Sequence, residues 1–134
     1  MKGPQYSYSF AGAQLPAILW GALIFTLSSI PGDSFPTLPF TISDKIVHGG
    51  IFFVFCYLVY RALRNQTRFP KLSAHSLSIS LLFTALYGAL DEFHQLYTPG
   101  READILDFLA DSVGGCIFAV VLVIAHIRHK SEQR

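Results

Sequence analysis

Apolar residues in this chain fall into four long runs separated by short polar segments. A bilayer core about 30 Å thick takes roughly 20 mostly apolar helical residues to cross. The runs Leu15 to Ile30, Ile46 to Leu63, Leu77 to about Tyr97 and Ile105 to Ile127 meet that need once their flanks are included. The expected helices cover about 13–31, 45–64, 76–97 and 104–127. Within SLLFTALYGAL and VGGCIFAVVLVIA the apolar side chains go all the way round the helix and leave no polar face for water. The pattern predicts an all-α fold: a single-domain (1–134) integral membrane bundle of four transmembrane helices, multi-pass in the cytoplasmic membrane.

The first run has only Lys2 as a basic residue ahead of it and no small-x-small cleavage site behind it. It therefore reads as a retained span rather than a signal peptide. It stops at Pro31-Gly32. The segment PGDSFPTLPFTISDK that follows is rich in proline and reads as an extended, semi-rigid cover, with Ser43 or Asp44 capping the second helix. Gly49-Gly50 and Gly114-Gly115 supply small faces that let helices approach closely. Trp20, Tyr57, Tyr60 and Tyr97 suit interfacial or packing positions.

Composition agrees with lipid as the solvent. Hydrophobic residues make up 51% of the chain and charged residues 14%, against about 25% charged in ordinary soluble domains. A net charge of +1 offers no basic face for nucleic acid. Cys56 and Cys116 lie in apolar runs as small packing residues, with no disulfide framework or CxxC pair. The basic residues are also segregated. Lys2, Arg61, Arg64, Arg68, Lys71, Arg128, Lys130 and Arg134 fall on one side of a four-span arrangement, leaving Lys45 and Arg101 on the other. By the positive-inside rule both termini are expected in the cytoplasm, with the segments Pro31 to Asp44 and Thr98 to Asp104 outside.

Placing the remaining charges on these spans gives a constellation. Asp44, Lys45 and His48 lie at the outer start of the second span, Asp91, Glu92, His94 and Gln95 at the outer end of the third, and Asp107 and Asp111 in the first turns of the fourth. Asp44 and His48 are four apart, Asp91, His94 and Gln95 three and four apart, and Asp104, Asp107 and Asp111 three and four apart, so each set forms one helix stripe. At about 1.5 Å per residue, Asp111 sits roughly 10 Å inside its helix. A lone carboxylate in lipid costs several kcal/mol, so these groups are expected to face one another or a wet cavity. A buried ion-pair scaffold is the competing reading, and for Asp44 and Asp104 helix capping competes as well. Apolar packing often stabilises as well as buried charge does, which favours function for the inner members.

These residues carry a family resemblance. The stretch DKIVHGGIFFVFCYLVYRAL, from Asp44, resembles the first signature of VanZ-like membrane proteins. The stretch YGALDEFHQLYTPGREADILDFLADSVGG, Tyr87 to Gly115, resembles the second: D-E-x-H-Q, then P-G-R, then two aspartates ahead of a glycine-rich helix. The likeness is strong from Asp44 to Gly115 and only general over the first helix. It implies a small multi-helix membrane protein of a family whose namesake is associated with low-level resistance to teicoplanin, a lipid-tailed glycopeptide.

The leading expectation is a polar site at the outer membrane face that recognises or modifies an envelope lipid, a lipid-linked precursor or a lipid-tailed glycopeptide. Lys45 and Arg101 are expected to hold phosphate, with Gln95 and Asp44 beside them. His94, backed by Asp107 or Asp111, is the expected acid–base group, with His48 a second candidate. Asp91, Glu92 and His94 form the expected set for a divalent metal ion. No Ser or Cys stands beside a histidine in these motifs, so an enzyme here would be an acid–base or metal-assisted hydrolase or transferase. A small transporter or ion-coupled carrier, or a non-catalytic structural membrane protein, is the alternative. A chain this small can also assemble as a homo-oligomer.

Overall fold

The bundle is built from helices whose ends are set by local chemistry. A computed structural model of the chain describes residues 10–34 and 41–133. The first helical run is split into α1 (Phe10–Ala13) and α2 (Leu15–Ser28), where one continuous helix over 13–31 was expected. Pro16 accounts for the break, because it has no N–H to donate to the carbonyl of Gly12. The Arg61 guanidinium donates to that carbonyl at 2.8 Å. After α2 the chain makes a single 3-10 turn, Gly32–Ser34. Of the proline-rich segment expected as an extended cover, residues 35–40 lie outside the described residues, as does Lys2, and residues 41–45 are helical instead.

The next helix, α3, runs Thr41–Asn65 and starts four residues earlier than expected. Asp44 therefore sits in its first turn rather than at its cap, where a carboxylate still complements the positive end of the helix. A short α4 (Pro70–Ala74) leads into α5 (Ser76–Gln95), and α6 spans Ile105–Glu132. Asp104 caps α6 by accepting from the Leu106 N–H at 2.8 Å. Among the described residues two segments, Asp44–Asn65 and Ile105–Glu132, are long and apolar enough to cross a membrane, while α2 is apolar but shorter.

Helix α3 packs against α2, α5 and α6. Its contact with α6 is close because Gly114 lies against the backbone of Gly49, where a Cβ would overlap the Gly49 carbonyl. Gly50 faces open space. Phe52, Phe55, Val59 and Ile24 form the apolar core, flanked by Trp20 and Tyr87. Trp20 donates its indole N–H to the Ile51 carbonyl at 3.1 Å, and Tyr87 donates its hydroxyl to the Gly21 carbonyl at 2.7 Å. Both aromatics thus fix α2 to its neighbours.

The distribution of polarity is inverted relative to a water-soluble bundle. Among the described residues Ser28, Ser76, Ser80, Thr84, Asp91, Glu92, Gln95, Asp107 and Asp111 are buried. Leu19, Leu23, Leu86, Leu90, Val113, Ile117, Val120 and Ile124 are exposed. An apolar exterior of this extent would aggregate in water. With two membrane-length helices, this is the pattern of a helical membrane protein.

Candidate functional site

The polar groups gather where the last two turns of α5 meet the first turns of α3 and α6 and the end of α2. Successive residues on a helix point about 100° apart, so Asp91 and Glu92 serve different neighbours. Asp91 faces α2. Its two carboxylate oxygens accept from the Ser28 hydroxyl at 2.6 and 2.8 Å, and one also accepts from the Gln95 amide at 3.2 Å. Glu92 faces α6, and its Oε2 accepts from the Asp104 N–H at 2.8 Å.

His94 lies beside Asp91 on the α2 side. Its Nε2 is 3.0 Å from the Ser29 hydroxyl, and the Phe25 ring lies over it with centroids 4.6 Å apart. The carboxylate-backed imidazole expected at His94 forms at His48 instead. There Nδ1 lies 3.1 Å from Asp111 Oδ1, the arrangement in which an Nδ1–H donates to a carboxylate. Such a partner fixes the tautomer of the ring. Asp91, Glu92 and His94, expected together as metal ligands, are divided between two helix interfaces. The described groups whose ligand atoms do converge, within 4.8 Å of one another, are His48, Glu92 and Asp111, and Asp44, His48 and Asp107.

The two cations expected to hold phosphate already have protein partners. Lys45 donates to Asp104 at 2.6 Å and to Asp107 in a short contact, so it ties the start of α3 to the start of α6. The hydrogen bond from Lys45, with that from the Leu106 N–H, holds the Asp104 carboxyl below the usual aspartate range. Arg101 donates through Nε to the Ile30 carbonyl at 3.4 Å. The segment Thr98–Arg101 therefore clamps the end of α2. Thr98 donates to the Ser28 carbonyl at 3.2 Å, and the Gly32 N–H donates to the Pro99 carbonyl at 3.0 Å. Gly100 has φ of +70° and lies against Gly32, a close passage and a backbone conformation that both suit glycine.

Two kinds of contributor are absent from the constellation read off the charges. Ser28 and Ser29 supply the partners of Asp91 and His94 from the first apolar run. Gly88 makes room for Asp111, whose Oδ2 would lie 3.1 Å from a Cβ placed there. A signal for the second exists. Ser76, Ser80, Thr84, Gly88 and Glu92 are spaced four apart, a small and polar stripe along α5 that is buried throughout.

Comparison with known proteins agrees with this architecture. An uncharacterized protein of Schizosaccharomyces pombe is 27% identical over 99 residues, covering 73% of this chain. The chain spans only 57% of that relative's length. No solved structure matches. The VanZ/LLP1 family model matches residues 14–126, which takes in α2 through most of α6 and every residue of the polar cluster. A bundle that buries Glu92, Asp107 and Asp111 beside His48 at one end of α3, α5 and α6, and matches that model over residues 14–126, belongs to the VanZ/LLP1 family.

Proposed function

We propose that this cluster recognises the polar head of an envelope lipid or lipid-linked precursor at the outer face of the cytoplasmic membrane. In this reading α2, α3, α5 and α6 all span the bilayer and both termini are cytoplasmic. The observation that carries it is the burial of Glu92, Asp107 and Asp111 around a half-buried His48 at one end of three helices whose outer surfaces are apolar. Ionisable groups held at that depth are costly and are the default location of a functional site in a membrane protein. The position suits a molecule whose tail stays in lipid. An apolar cleft of about 400 Å³ between α2, α3 and α5, lined by Ile18, Gly21, Phe55, Phe83 and Tyr87, supports this too. Tyr87 is one helical turn below Asp91, so an acyl chain in the cleft would bring its head toward the Asp91 end of α5. His48 backed by Asp111 can exchange a proton with a head-group hydroxyl or a water.

The test uses the purified protein in nanodiscs offered phosphatidylglycerol and a polyprenyl phosphate as probes. Retention of either by native mass spectrometry, weakened in Glu92→Gln, supports the reading. If His48→Gln keeps binding while abolishing a chemical change in the probe, the site is catalytic; if it loses binding in parallel, the protein is a binder. Failure of the wild-type protein to retain either lipid overturns the proposal.

One observation favours a second reading, an ion-coupled carrier. The buried hydroxyls of Ser76, Ser80 and Thr84 continue the polar stripe of α5 away from the acidic cluster toward the other end of the bundle. A proton flux in proteoliposomes that is lost in Thr84→Val would support that reading in place of head-group recognition.

A further inference from the structure

We infer that His48, Glu92 and Asp111 form a binding site for one divalent transition-metal ion. One ligand comes from each of α3, α5 and α6, and the three ligand atoms lie within 4.8 Å of one another. Independent support comes from unsatisfied valence. Glu92 Oε1 and Asp111 Oδ2 are buried and have no hydrogen-bond partner, in residues only 7% and 0% exposed. A buried carboxylate oxygen left without a donor carries its full desolvation cost, so it calls for a cation or a bound polar atom.

Asp111 Oδ1 lies 3.1 Å from His48 Nδ1, so an ion bound through that nitrogen would replace the proton between them, and Asp111 Oδ2 is left to coordinate. Glu92 Oε2 is already held by the Asp104 N–H, which orients that acid and leaves Oε1 to coordinate. Outer partners of this kind fix ligands in metal sites. Two carboxylates with a neutral imidazole carry a charge of −2, which matches a divalent ion.

The donor set also indicates which ions. A mixed nitrogen and oxygen set suits Mn²⁺, Fe²⁺, Co²⁺ or Zn²⁺ better than the all-oxygen shells of Ca²⁺ and Mg²⁺. Three protein ligands leave coordination positions open, as in catalytic rather than structural sites. The neighbouring group Asp44, His48 and Asp107 is the weaker candidate. Asp44 is exposed, and Lys45 already occupies Asp107. The inference deepens the head-group reading, since an ion with open positions can accept a phosphate oxygen.

The experiment strips the purified full-length protein in detergent with a chelator and then titrates Mn²⁺ and Co²⁺. Expected are one ion per chain, a Co²⁺ visible absorption band and a rise in Tm on loading. Glu92→Gln and Asp111→Asn should each weaken binding beyond the roughly 10–100-fold that loss of an outer partner costs, and abolish the Tm rise. Asp91→Asn, which alters the carboxylate held by Ser28, should keep both signals. Metal-free Tm values of the variants near the wild-type value separate lost ligation from lost folding. The absence of stoichiometric binding by the wild-type protein, or binding lost in Asp91→Asn but kept in Asp111→Asn, would overturn the site. Lipid retention measured with and without chelator separates the two proposals. Metal binding without lipid retention sinks only the head-group reading, and lipid retention without metal binding sinks only the metal site.

Discussion

At the scale of single residues, the site depends on hydrogen bonds to charged groups where water is scarce. Ser28 holds both oxygens of buried Asp91, so Ser28→Ala leaves that carboxylate with little beyond the Gln95 amide. The expected loss is about 1.5–3 kcal/mol, the usual worth of a hydrogen bond to a charge, read as a lower unfolding midpoint in detergent. Asp104 provides a pH dependence of definite sign. Lys45 and the Leu106 N–H lower its pKa in the folded state below the ordinary 3.8. Its contribution to stability is therefore fully present above that value and is lost as the pH falls below it. In Lys45→Met this contribution should shrink. The Tm difference between wild type and variant should be widest near neutral pH and narrow on acidification. A difference that stays constant with pH would show that Lys45 does not act through this carboxylate.

At the scale of helices, close approach is decided by single glycines that sequence alone ranks equally. Gly49-Gly50 and Gly114-Gly115 look alike as small pairs. Yet a Cβ on Gly114 would fall on the Gly49 carbonyl and within 3.0 Å of the Phe53 nitrogen, while Gly50 meets nothing. Gly114→Ala should force α3 and α6 apart and cost about 1–3 kcal/mol or more. Gly50→Ala should be neutral or slightly stabilising, by up to about 1 kcal/mol of helix propensity. Detergent unfolding of the two variants side by side checks this contrast. The long helices themselves were legible because apolar runs of membrane length admit few other structures. The break at Gln14 was legible in principle, since Pro16 dictates it, but hydropathy averages across a proline. The gathering of charges at one end of three helices was also legible, from depth and spacing. Their pairing was not. Which imidazole meets which carboxylate depends on rotation about each helix axis, and neighbours such as Asp91 and Glu92 diverge under any rotation. Ser28 and Ser29 were missed because serines at the end of an apolar run give no signal until their partners are known.

At the scale of the whole molecule, the proposed topology makes a sharp demand. With a cysteine-free background, Asp33→Cys should react with a membrane-impermeant thiol reagent in intact cells, and Arg68→Cys only after lysis. The opposite pattern would turn the bundle over and place the acidic cluster on the cytoplasmic side.

The inverted polarity described above also bears on how the sequence can drift. In a soluble bundle, conservative change is safest at polar surface positions and riskiest among large interior hydrophobes. Here the rule is transposed. In the proposed topology, leucine, isoleucine and valine on the outward faces of α5 and α6 can interchange almost freely, because lipid tails adapt to any of them. Interior residues such as Ser28 and Gly114 have no such latitude, since the first is hydrogen-bonded to its seat and the second is sized for it. Relatives can therefore diverge widely in overall identity while sharing a thin thread of small and acidic residues along the facing sides of three helices.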